Sequence, residues 1–223
     1  MRKTGFCTST WCAKRLAVSG ERLRAPGAAA NVTIINKTRY YGGESFADFL
    51  ARPTVNHELW VALAHRVMIP VEYSARVEAL RGHWHLLVLS EDWCGDAVNI
   101  VPIVAKLADS VSNMDLRILA RDQNLDIMDA HLTNGKSRSI PIVILLNDKF
   151  QECGWWGPRP RALQKWVTDN GMQLPKDERY KEIRTFYARD RGLTTIKEIV
   201  EMLEECCARG PTLSSSAEAP ATL

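Results

Sequence analysis

From Ser45 to Gly82 the apolar positions recur at helical spacing in three short runs. The first holds Phe46, Phe49 and Leu50, and the second holds Trp60, Leu63, Ala64 and Val67. In the third, Val71 and Val77 flank Ser74. The breaks between runs agree with helix chemistry: Asn56 suits an N-cap, Pro70 a first turn and Gly82 a terminus. After Gly82 the period changes. Trp84 to Ser90 is a short apolar run with turn-like flanks, as a strand buried on both faces requires. A helix is expected from about Cys94 to Asp109, with Ile100, Val101, Val104 and Leu107 as its inner stripe. Leu116–Ala120 reads as a second strand, followed by a short helix capped by Asn124, carrying Leu125, Met128 and Leu132 and ended by Gly135. Ile142–Leu146 is the strongest strand signal in the chain. Asn147 to Lys149 makes a turn, and Phe150 to Trp156 returns as a hairpin partner. A helix from about Pro160 to Asp169 precedes Gly171. Two amphipathic helices close the pattern, one on Tyr180, Ile183 and Tyr187, the other on Ile196, Ile199, Val200 and Leu203. Thr195 and Glu198 have the spacing of a capping box at the start of the second.

Composition narrows the class without naming a function. The chain has 223 residues, 46% hydrophobic and 25% charged, which is an ordinary globular balance. A net charge of +3 is too small to argue for nucleic acid or an anionic membrane. Much of it sits in the first thirty residues, where Arg2, Lys3, Lys14, Arg15, Arg22 and Arg24 face the single acid Glu21. That segment lacks apolar periodicity, so residues 1–42 are expected to be a disordered or poorly structured leader. A basic, acid-poor leader also fits an organellar transit peptide. Residues 43–82 then read as an N-terminal helical extension, 83–171 as an α/β core, 172–208 as a C-terminal helical extension packed on it, and 209–223 as a disordered tail rich in Pro, Ser and Ala. No run approaches the roughly 18 apolar residues of a membrane span, and the N-terminal segment lacks the apolar central run of a secretory signal, so export is not expected. The cysteines Cys7, Cys12, Cys94, Cys153, Cys206 and Cys207 show no disulfide-scaffold spacing, so reduced thiols in the cytoplasm are expected.

The chemistry concentrates at Trp93-Cys94-Gly95-Asp96-Ala97, between the first strand and its helix. Pro102 stands eight residues after Cys94, Asp122-Gln123-Asn124 follows the second strand, Ile140-Pro141 precedes the third, and Gly157 follows the hairpin. This order resembles the thioredoxin superfamily. The strings Ser90 to Ala97, Leu132-Thr133-Asn134-Gly135 and Trp156-Gly157-Pro158-Arg159-Pro160 are more narrowly similar to a bacterial thioredoxin-family group with the same Trp-Cys-Gly-Asp-Ala turn, over about Ser45 to Cys207. The resemblance implies a thioredoxin-like α/β fold: a central mixed sheet of about four strands, flanked by helices, with extra helices at both ends. It also implies a cis peptide bond before Pro141 and a substrate groove formed by Trp93, Gly95, Ile140, Pro141, Trp156 and Gly157.

A cysteine in the first helical turn meets unpaired N–H groups and the positive end of the helix dipole, which favours the thiolate. Cys94 is therefore the expected catalytic nucleophile. The chain departs from the family pattern in three places: Ala97 stands where the second thiol belongs, Val88 replaces the usual buried carboxylate and Ile118 replaces its lysine. Two substitutes are open. Asp96 is either a proton relay to Cys94 or a carboxylate at the helix start. Cys153 is either a resolving thiol or a small buried side chain. Arg159 and Arg161 read either as receptors for an anionic substrate or as a solvated helix start, and Trp155 and Trp156 as groove walls or packing. His83 and His85 share a strand face, but without a third ligand they read as solvated strand-entry residues, and no metal is expected, at Asp92, Cys94 and Asp96 included. The expected activity is monothiol thiol-disulfide exchange on a protein or small-thiol disulfide. It needs no cofactor beyond glutathione or another low-molecular-weight thiol as co-substrate. The alternative is a thioredoxin-fold binding or thiol-sensing module without turnover.

Overall fold

The computed structural model describes residues 35–52 and 55–209. The expected leader as far as residue 34, with Cys7 and Cys12, and the expected tail from residue 210 lie outside the described residues. The elements, in chain order, are α1 (Lys37–Tyr41), α2 (Phe46–Ala51), α3 (His57–Arg66), α4 (Val71–Glu78), β1 (Trp84–Ser90), α5 (Gly95–Asp109), β2 (Met114–Ala120), α6 (Leu125–Ala130), β3 (Ile142–Leu146), β4 (Glu152–Trp156), α7 (Arg161–Asp169), α8 (Lys176–Asp190) and α9 (Leu193–Arg209).

The four strands form one mixed sheet in the order β2-β1-β3-β4, with β1 parallel to β2 and antiparallel to β3, and β3 antiparallel to β4. A parallel β1–β2 pair needs a crossover, which α5 supplies. The two central strands are buried along their whole length, which is why they read as unbroken apolar runs rather than alternating ones. β2 alternates and lies at an edge. That edge is bridged at one point: the Glu44 N–H donates to the Ile118 carbonyl at 2.9 Å, and the Glu44 carbonyl accepts the Ile118 N–H at 2.8 Å. Such a bridge blunts an exposed strand edge.

The expected leader is too long at its C-terminal end. Residues 35–42 are folded, because Ile35 and Tyr40 enter the core and the Tyr40 hydroxyl donates to Asp115 Oδ1 at 2.8 Å. Five residues cannot show a helical period, so a helix held by one buried ring leaves little trace in the sequence. The Thr195–Glu198 capping box is also corrected. Both residues lie inside α9 and are buried. The first turn of α9 is instead satisfied by Asp190, whose carboxylate accepts the Thr194 N–H at 3.2 Å. Asn56 does precede α3, but its side chain makes no cap; it sits at φ 61° and its carbonyl takes the N–H groups of Leu59 and Trp60. No helix among the described residues is long and apolar enough to cross a membrane.

Candidate functional site

Cys94 is the N-cap of α5, at the point where β1 ends and the chain turns into the helix. Two contacts, one from α3 and one from the turn before it, hold this turn. The Trp60 indole N–H of α3 donates to the Asp92 carbonyl at 3.0 Å, and the Asp92 carboxylate accepts the Val55 N–H at 3.1 Å. Asp92 is thereby a strut rather than a ligand. On the other side the Cys94 thiol donates to the Ile140 carbonyl at 3.4 Å, and the Ile140–Pro141 peptide bond is cis. Beyond its chain neighbours, nothing lies within 4 Å of the position a Cβ would take on Gly95, so the surface at that residue is open. Trp93 is half exposed, with the Arg121 guanidinium 5.2 Å above its ring.

The electrostatics of Cys94 differ from the expectation. Burial, at 9% exposure, pushes the thiol pKa up. The N–H groups of Ala97 and Asp96 and the charge of Arg159 pull it down, the Asp96 carboxylate adds to the rise, and the net shift is upward. Desolvation outweighs the helix terminus here because a dipole of about half a charge cannot replace the hydration of a full one. The sequence places the cysteine correctly at the helix start, but it carries no measure of how deeply the sulfur is covered.

Asp96 is not positioned as a proton relay. Its side chain is 7% exposed, and Arg159 Nη2 donates to Oδ2 at 2.5 Å while the Tyr187 hydroxyl donates to Oδ1 at 2.8 Å. Arg159 is correspondingly held by Asp96 rather than solvated: it is 15% exposed, and burial, which lowers its pKa, is outweighed by the Asp96 charge and hydrogen bond, which raise it. The Tyr187 pKa is pushed up by burial and by the same carboxylate. This group spans 91 residues of sequence, from α5 to α8, and no local pattern announces it.

Trp156 is largely buried: its indole N–H donates to Glu198 Oε2 of α9 at 2.6 Å, which ties β4 to α9, and its remaining edge lines a cleft on that side of the sheet, away from Cys94. The same carboxylate accepts the Arg161 N–H at 3.0 Å, which satisfies the start of α7. Trp155 is the exposed member of the pair. Gly157 stands against Pro141: at φ 135°, a Cβ there would come within 2.3 Å of the Pro141 carbonyl oxygen. A cleft of about 290 Å³ opens beside β4 and α9, with Trp155, Arg161, Met202 and Arg209 on its walls, and Cys94 does not line it.

Cys153 does not serve Cys94. A register shift between Leu145 and Leu146 leaves it as the extra residue of a bulge, which turns it toward α9. That bulge lies at the far end of β3 from Ile140, roughly 15 Å along the strand at ~3.3 Å per residue. Its partner is Cys206, whose thiol donates to the Cys153 carbonyl at 3.2 Å and lies 3.2 Å from Arg209 Nη2. Hydrogen bonding from Cys153 brings the Cys206 pKa down to about 7, with Arg209 reinforcing it against burial. Dilute peroxide should therefore yield a Cys153–Cys206 disulfide in a tryptic peptide map; recovery of a Cys94–Cys153 pair instead would overturn this placement. Cys207, next along α9, is less buried than Cys206.

A family model described as Thioredoxin matches residues 43–181. Among solved structures, a protein of unknown function from Pseudomonas aeruginosa is similar, at 20% identity and a TM-score of 0.61, over 77% of this chain and 98% of that one. An HIV epitope scaffold is similar at 19% identity and a TM-score of 0.59, over 77% of this chain and 99% of its own. At such identities the likeness is one of fold. No curated protein matches the chain.

Proposed function

The chain belongs to the thioredoxin family, and from that premise we propose that it is a monothiol member, with the Trp93-to-Ala97 turn as its active site, which exchanges disulfides through Cys94. The carrying observation is the sulfur's position, at the first turn of α5 with the Asp96 and Ala97 N–H groups directed at it and the backbone of Ile140 alongside. In the proposed cycle the Cys94 thiolate attacks one sulfur of a substrate disulfide and the other sulfur leaves as a thiolate. With alanine at position 97, the mixed disulfide waits for an external thiol, of the glutathione class, to attack and free Cys94. Substrate would lie along Ile140 and Pro141, beside Trp93, Gly95 and Gly157, in a reducing, cytoplasm-like compartment. The four cysteines among the described residues are all free thiols, which suits such a compartment.

A second reading, a thiol-sensing or binding module, is favoured by the burial of Cys94 and its raised pKa. The two readings separate on release. In a variant keeping Cys94 alone among the cysteines, the alkylation rate should climb with pH and reach its midpoint above the ordinary ~8.5. The sign follows from burial, which favours the neutral thiol and so lowers the thiolate fraction at neutral pH below that of a free cysteine. The same variant should discharge a glutathionylated peptide when excess thiol is supplied, faster at pH 8.5 than at 7. Formation of a stable adduct that external thiol does not release would replace exchange by sensing.

A further inference from the structure

His83 and His85 lack a third ligand only in the sequence; the fold supplies one. In the parallel register of β1 with β2, His85 stands opposite Asp115, and His83 precedes the strand by one residue on the same face. One donor atom from each of the three side chains lies within 4.8 Å of the others. His85 Nδ1 is 2.6 Å, and His83 Nε2 3.7 Å, from Asp115 Oδ1. His85 is also buried rather than solvated, contrary to the strand-entry reading.

Two of the donors are already oriented. The His85 ring stacks on Phe150 at 4.3 Å and 11°, and the Tyr40 hydroxyl donates to Asp115, the kind of outer hydrogen bond that fixes a metal-binding carboxylate. The third donor, His83, is 44% exposed, so the cluster opens to solvent on its side. Arg117, two residues along β2, has its guanidinium over the Tyr41 ring at 5.6 Å. This lies at the opposite end of β1 from Cys94, since His85 begins the strand and Ser90 ends it.

We propose that His83, His85 and Asp115 form a binding site for a divalent transition-metal ion of the zinc class. Two imidazoles and one carboxylate make a borderline donor set that selects zinc over magnesium or calcium, which require oxygen ligands. Three protein ligands leave a fourth position open, the arrangement of a site that holds a water or an exchangeable ligand rather than a closed structural one. Binding exchanges the His85–Asp115 hydrogen bond for two metal bonds.

The test is calorimetric titration of chelator-treated, untagged full-length protein with zinc chloride, and with magnesium chloride in parallel. The expected result is one zinc per chain at these residues and no magnesium binding. His83→Ala is the decisive variant, because its exposed side chain can be removed without disturbing the core, as circular dichroism would verify. It should weaken zinc binding by more than about tenfold, the least that loss of even an outer-shell partner causes. Asp115→Asn should do the same. Unchanged affinity in His83→Ala would place the zinc elsewhere and overturn the proposal, as would the absence of binding by the parent protein.

Discussion

Replacing Arg159 by alanine should lower the unfolding free energy by about 3–5 kcal/mol, the cost of leaving a buried charge without its partner. The substitution strands Asp96, which is 7% exposed and would keep only the Tyr187 hydroxyl. Asp96 can then remain ionised in a poorly solvated site or take up a proton, and either course costs free energy relative to the paired state. At roughly 2–4 °C per kcal/mol for a domain of this size, thermal unfolding should fall by about 6–20 °C. An Asp96→Leu, Arg159→Met double variant should recover much of the loss, because it leaves no buried charge unpaired and only the neutral Tyr187 hydroxyl without its acceptor. A loss below about 1 kcal/mol for Arg159→Ala would mean the pair behaves as a solvated surface bridge. Arg159 also lowers the Cys94 pKa while Asp96 raises it, so the double variant leaves only burial and the helix N–H groups acting on the thiol.

Gly157→Ala should be at least as damaging, above about 4 kcal/mol, where single substitutions become exceptional. The added carbon meets the Pro141 backbone oxygen at 2.3 Å and the Ile142 Cα at 3.2 Å, so the closest contacts are with backbone, which cannot swing aside as a side chain can. The φ of 135° adds a conformational cost of roughly 1–3 kcal/mol for any residue with a Cβ. Relief requires β3 and the β4–α7 connection to part beside Pro141. Chemical denaturation of Gly157→Ala against Gly95→Ala gives an internal control, because a Cβ at Gly95 meets nothing within 4 Å. Equal stability of the two variants would show that the approach of Gly157 to Pro141 is relaxed in solution.

The fold was legible to the extent that each element announced itself locally. β1 and β3 could be read because burial on both faces forces unbroken runs such as Leu86-Leu87-Val88-Leu89 and Ile142 to Leu146. α5 and α9 could be read because one buried stripe imposes a helical period. α1 could not, since five residues and one buried tyrosine make no period. At the site the same division holds. The cysteine at a helix start is a short-range fact carried by Trp93-Cys94-Gly95, whereas the roles of Asp96, Cys153, Trp156 and Glu198 depend on residues 42 to 91 positions away.

What the sequence by itself determined, then, is the order of strands and helices, the placement of Cys94 at the opening of α5, and the absence of a second thiol at Ala97. Only the tertiary structure decided which charge faces which: Asp96 with Arg159, Cys206 with Cys153 and Arg209, His85 with Asp115. The physical reason is range. Periodicity and capping are set by neighbours within a turn or two, while desolvation and ion pairing depend on whatever other segment happens to cover a group. For Cys94 that cover reverses the direction in which the helix terminus alone would move its pKa.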